Sequence, residues 1–254
     1  SHADIAAPVV TGDPLTGPTQ VEWTLGDITN ISDGNAANDE FIIIYQARPI
    51  NDSDYFELNP VPDVTNTATL DYQIVTGPAQ QVDTEVVPLG QPSLAIAKTS
   101  VPVSASAAAL NMSAGDTINF TVTMTNSGDA PAYDSVVVGV LSDGLRQTTP
   151  VTTAIYLASA PGSPLPLLQP TYDSVSGTAT WDLDSGGEGT YTIPATDALV
   201  IEYDAQVDID VGPNTNMNNS VTASVYYSLD DEEADTDAAD REDYGPTNTA
   251  TTTF

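Results

Sequence analysis

Lys98 is the only lysine in the chain. It continues the alternating run Leu94-Ala95-Ile96-Ala97-Lys98, in phase with Leu94 and Ile96, so its side chain is directed toward the core face. An ammonium there is costly to bury unless it is paired. Asn219 shares the phase of Val221, Ala223 and Val225 in a later run and brings a carboxamide to the same kind of face. The plainer alternative is a lysine snorkelling at a strand end, with Asn219 hydrogen-bonded to backbone.

Acidic residues supply a second kind of chemistry. Asp182, Asp184 and Glu188 flank Gly186-Gly187, and Asp27, Asn30, Asp33, Asn35 and Asp39 hold the corresponding place earlier in the chain. Hard oxygen ligands at alternating positions suit calcium, although none follows the twelve-residue EF-hand spacing. A third cluster, between Asp230 and Asp243, reads equally well as a solvated acidic loop. Asp184-Ser185-Gly186 mimics an aspartic-protease motif, but that chemistry needs two carboxylates sharing a proton and no second copy exists. His2 is the only histidine, which excludes a histidine-based triad, and no phosphate-cradling glycine loop is present. Asn-x-Ser/Thr sequons occur at Asn30, Asn51, Asn111, Asn119 and Asn218; Asn30 and Asn51 fall in predicted loops and are candidate glycan sites, with chance occurrence the plainer reading.

Composition narrows the function classes. The chain of 254 residues carries 36 acidic and 4 basic side chains, a formal net charge of -32. That charge argues against nucleic acid, whose binding needs lysine and arginine, and against anionic membranes. No apolar run approaches the roughly 20 residues that span a bilayer, so membrane insertion is not expected. No signal peptide is legible, and Ser1-His2 reads as a processing or cloning scar. The absence of cysteine excludes disulfides and thiolate sites. At 40% hydrophobic residues the chain can build packed cores.

The elements that must position these groups are strands. Ile118, Phe120, Val122 and Met124 alternate with polar residues, as do Leu199, Ile201, Tyr203, Ala205 and Val207. Turn clusters such as Asn126-Ser127-Gly128-Asp129 and Ser142-Asp143-Gly144 separate the runs. An internal repeat organises them. Val21-Glu22-Trp23-Thr24-Leu25 resembles Ala179-Thr180-Trp181-Asp182-Leu183, and the interval from Trp23 to Tyr45 equals that from Trp181 to Tyr203. Val64–Leu70 resembles Met217–Ala223. The second copy begins near Ser93, whereas the first enters at the equivalent of about residue 159, and therefore as the later half of a repeat. The expected fold is all-β: tandem immunoglobulin-like sandwiches, with residues 1–92 an incomplete C-terminal half and residues 93–254 complete. The expected core contains Ile118, Phe120, Val122, Val136, Val138, Trp181, Ile201, Tyr203 and Val221.

The second copy resembles a conserved-repeat family of bacterial and archaeal surface proteins, the domain of unknown function number eleven. The resemblance is carried by Leu94–Thr99, Ala114–Val122, Thr125–Ala130, Val136–Val138 and Asp143–Leu145, completed by Trp181 and Asn219. It implies sandwiches strung into extracellular stalks, adhesins or sheaths, and no enzyme activity. Lysine in a first strand and asparagine in a late strand is also the reactive pair of surface domains with intramolecular isopeptide bonds. There a buried, protonated carboxyl assists attack of the amine on the amide. This chain departs from the family pattern, which places Asp after the valine run where Gly139-Val140 stand; Asp116 and Asp134 are the candidate substitutes. The expected function is a structural segment (stalk, sheath or filament subunit) of a secreted or cell-surface protein, partnered by its own copies or neighbouring repeats. The alternative is an adhesin domain that grips a glycan or protein, through a loop such as Pro161–Pro170.

Overall fold

The computed structural model describes residues 7–11, 20–26, 42–45, 64–74, 77–88, 90–103, 112–187, 189–212, 215–230 and 242–253. The chain divides into two compact units, Ser1–Leu58 and Asn59–Phe254. In the first, β1 (Val9–Thr11) pairs antiparallel with β2 (Gln20–Glu22). The rings of Trp23 and Tyr45 meet there at 5.3 Å and 47°.

The second unit opens with a long hairpin. Its strands β3 (Val64–Ile74) and β4 (Gly77–Val87) pair along their whole length. Among the described residues they pair with nothing else, and Leu70, Tyr72, Val82, Val86 and Val87 are exposed.

A two-sheet sandwich follows. One sheet has the order β5 (Leu94–Pro102), β6 (Thr117–Asn126), β11 (Ala198–Gln206), β8 (Val151–Leu157). The other runs β13 (Asp243–Tyr244), β12 (Asn218–Tyr227), β7 (Tyr133–Leu141), β10 (Thr178–Asp182), β9 (Thr171–Asp173), with β14 (Ala250–Thr253) also on β12. Every pairing is antiparallel, and the chain passes between sheets at β6–β7, β7–β8, β8–β9, β10–β11 and β11–β12. The architecture is all-β and immunoglobulin-like. Among the described residues only a 3-10 turn, Asp184–Gly186, interrupts it.

Alternation explains why these segments are strands. Ile118, Phe120, Val122 and Met124 of β6 are buried while the residues between them are only half-buried. Leu199, Ile201, Tyr203, Ala205 and Val207 are likewise buried on β11 and just beyond it, with Glu202, Asp204 and Gln206 half-buried between them and Val200 buried as well. Trp181 packs on Tyr203 at 4.9 Å and 46°, close to the geometry of Trp23 on Tyr45 in the first unit.

Two expected core positions move. In β7 the buried residues are Ser135, Val137, Gly139 and Leu141, while Val136 and Val138 are half-buried on the outer face. A run of three valines fits either phase; Gly139 decides it, because Trp181 lies where its side chain would be, with Cζ3 3.3 Å from an added Cβ. In β12 a register shift between Ala223 and Val225 puts Tyr226 rather than Val225 in the core.

The turn after β6 is fastened by Asn126, which is fully buried. Its Oδ1 accepts from the Ser93 and Gly128 amides, both at 3.0 Å. Its Nδ2 donates to the carbonyls of Ala130 (2.8 Å) and Ile193 (3.1 Å). The edge of β5 is closed by side chains: Asn248 accepts from the Ile96 amide at 3.0 Å and donates to the Ile96 carbonyl at 2.8 Å.

Candidate cross-link site

Lys98 lies on β5 opposite Val122 of β6. Asn219 lies on β12 in the other sheet, between Leu141 of β7 and Thr252 of β14. Their core-facing phases bring the two side chains together across the sandwich. Lys98 Nζ donates to Asn219 Oδ1 at 2.5 Å and to the Tyr203 hydroxyl at 2.6 Å. Asn219 Nδ2 also donates to the Tyr203 hydroxyl, at 2.8 Å. Tyr203 comes from β11, opposite Phe120 of β6, so the three polar groups close a triangle between first, middle and late strands.

The surroundings are apolar and aromatic. Asn219 and Tyr203 are fully buried. The stem of Lys98 is half-buried, and its amine sits 5.0 Å from the Phe120 ring centre and 5.2 Å from that of Tyr203. Burial pushes the Lys98 amine down to about 6, which leaves it a neutral, nucleophilic amine at neutral pH. Burial also raises the Tyr203 phenol well above its ordinary value, against a smaller opposing effect of its hydrogen bond with Asn219. The phenol is therefore protonated at any physiological pH.

The structure does not bring Asp116 or Asp134 to this pair. Asp116 precedes β6 and closes a turn, its Oδ2 accepting from the Ser113 amide at 2.8 Å. Val122, the partner of Lys98, lies about 20 Å further along at roughly 3.3 Å per residue. Asp134 stands at the start of β7 with φ 45°, about 23 Å by the same measure from Leu141, the partner of Asn219. It also shares the outward phase of Val136 and Val138. Among the described residues no carboxylate contacts Lys98. Tyr203 was legible only as a core residue; the available signal was that a buried phenol needs a hydrogen-bond partner.

The acidic positions are differently disposed. Asp182 and Asp184 are exposed at the end of β10 and the start of the 3-10 turn. Asp27, Asp33, Asp39 and Glu188 lie outside the described residues. Among the described residues no three His, Cys, Asp or Glu side chains converge as a metal site would require. A shallow, open concavity lies over β9 and β10, lined by Thr171, Tyr172, Asp173, Ser176, Thr178 and Thr180. No helix among the described residues is long and apolar enough to cross a membrane.

No family model and no curated protein matches the chain. Among solved structures it is similar to the pilus backbone RrgB from Streptococcus pneumoniae, at 15% identity and a TM-score of 0.37, over 54% of this chain and 53% of that one. The chain thus spans about half the length of that pilus protein. It is similar to the collagen-binding domain of a Staphylococcus aureus adhesin, at 10% identity and a TM-score of 0.32, over 62% of this chain and 95% of that one. It is also similar to AvmM, which catalyses macrocyclization in alchivemycin A biosynthesis, at 13% identity and a TM-score of 0.35, over 63% of this chain and 87% of that one.

Proposed function

We propose that the chain is a structural segment (stalk, sheath or filament subunit) of a secreted or cell-surface protein, and that its sandwich is sealed by an amide bond between Lys98 and Asn219. The observation that carries this reading is the 2.5 Å contact between a buried amine and a buried carboxamide. The reaction is a transamidation. The Nζ lone pair attacks Cγ of Asn219, the Cγ–Nδ2 bond breaks, and Nδ2 leaves as ammonia with a proton that Nζ gives up. It needs no oxidant and no cofactor.

A bond there ties the first strand of the sandwich to a late one, so tension entering at β5 reaches β12 without peeling the sheets apart. It also closes a loop whose ends are 121 residues apart. By chain entropy a covalent loop of that order stabilises by about 5 kcal/mol. A tether of this kind suits a load-bearing spacer and acts on no external substrate.

The hairpin supports a partner of the same kind. The pairing of β3 with β4 parallels that of β12 with β14, and β12 has a second neighbour, β7, that β3 lacks among the described residues. A β7-like strand from a neighbouring repeat or a second copy fits that edge by strand addition. The open concavity over β9 and β10 has one aromatic residue and encloses nothing, which favours the spacer over an adhesin. The test is the intact mass of the purified chain: one ammonia below the sequence mass, restored by Lys98→Ala. A full mass in the unaltered chain would refute the cross-link.

A further inference from the structure

We propose that the Tyr203 hydroxyl is the proton relay of the cross-linking step, carrying a proton from Lys98 to the departing nitrogen of Asn219. This inference rests on the Lys98–Asn219 reading above and assigns a catalytic residue to it.

Transamidation of an unactivated amide has two proton problems. The attacking amine becomes cationic as its bond to carbon forms and must shed a proton. The amide nitrogen is a poor leaving group until it gains one. In water, solvent serves both needs; Asn219 and Tyr203 are fully buried, so a side chain must serve here. The group required touches both nitrogens and can accept and donate at once.

The Tyr203 hydroxyl meets that requirement. Its oxygen is 2.6 Å from Nζ, the entering nitrogen, and 2.8 Å from Nδ2, the leaving one. Stacking on Phe120 at 5.2 Å and a tilted contact with Trp181 at 4.9 Å hold its ring on both contacts. No carboxylate among the described residues contacts Lys98 or the Asn219 side chain, so the role that a protonated acid plays in such chemistry falls to the phenol.

The step balances with two coupled transfers. As the Nζ–Cγ bond forms, one proton passes from Nζ to the phenol oxygen, and the hydroxyl proton passes from that oxygen to Nδ2. The Cγ–Nδ2 bond breaks, ammonia departs, and the hydroxyl is regenerated. No phenolate accumulates, in keeping with a buried phenol that holds its proton strongly.

The test uses the full chain made by cell-free synthesis and followed by intact mass from the moment of release. The unaltered chain should lose one ammonia. Tyr203→Phe, which keeps both ring contacts, should do so at least about 100-fold more slowly, the lower end of what a general acid–base group contributes. Near-ultraviolet circular dichroism checks that this variant is natively packed. A packed Tyr203→Phe chain that loses ammonia at the unaltered rate would overturn the relay while leaving the cross-link standing. An unaltered chain that keeps its full mass would overturn the cross-link, and the relay with it. Should Tyr203→Phe fail to fold, a ring-difluorinated tyrosine at position 203 keeps the hydroxyl but makes it more acidic. The rate of ammonia loss should then change, and an unchanged rate would overturn the relay.

Discussion

At the residue scale, Lys98 places a titratable amine where only neutral groups face it: the Tyr203 hydroxyl from β11, the Asn219 carboxamide from β12 and the Phe120 ring from β6. Its folded-state value of about 6 lies far below the ordinary 10.5. Between those values the unfolded chain binds the extra proton, so stability rises with pH across that window and falls as pH drops toward 6. The slope for one group is at most about 1.4 kcal/mol per pH unit. An amide does not titrate. Asn219→Ala, which cannot cross-link and keeps the burial that lowers the amine, should therefore show this dependence in denaturant titrations, and the unaltered chain should be flat from this source. A second residue-scale prediction concerns Asn126. Its side chain makes four hydrogen bonds to backbone groups, so Asn126→Ala should cost about 2 kcal/mol or more, read from the midpoint of chemical unfolding.

At the element scale, β7 tests which face of a valine run is buried. Val137→Thr brings a hydroxyl into the apolar core and should cost about 1–3 kcal/mol. Val138→Thr, on the half-buried outer face, should stay within about 0.5 kcal/mol. The reverse ranking in melting temperature would mean that the strand is packed in the opposite phase. The turn after β6 is equally demanding. A Cβ on Gly128 would meet the Gln91 carbonyl oxygen at 2.1 Å, against backbone that cannot swing aside. Gly128→Ala should therefore lower the melting temperature by several degrees.

At the scale of the whole molecule, a net charge of -32 acts on every packed surface. Self-repulsion opposes the compact state and is screened by salt. The melting temperature should rise as sodium chloride goes from about 0.01 to 1 M, over which the Debye length falls from about 30 to 3 Å. The exposed β3–β4 hairpin should bind copies of the chain through the edge of β3, which pairs with no second strand among the described residues, and sedimentation velocity should show mass increasing with concentration. A strictly monomeric species at every concentration would remove strand addition from the proposed function.

What the sequence determined by itself was periodicity. Alternation identified β5, β6, β11 and β12 and put Lys98, Tyr203 and Asn219 on core-facing phases, because the side-chain period of a strand is fixed by its backbone. The repeated Trp–Tyr interval marked the internal repeat, and the structure adds that the two rings meet in both units, Trp23 on Tyr45 and Trp181 on Tyr203. Tertiary structure alone decided the rest. The phase of Val136–Val138 depended on Trp181 lying over Gly139, and the burial of Tyr226 on a shift in β12; neither leaves a mark on local alternation. Parity says which face a residue takes but not how far along the strand its partner lies. Asp116 and Asp134 were therefore plausible companions of Lys98 by phase, yet stand at the far ends of their strands. Tyr203 comes to both nitrogens through the register that sets it opposite Phe120, and that register is a property of the assembled sheets.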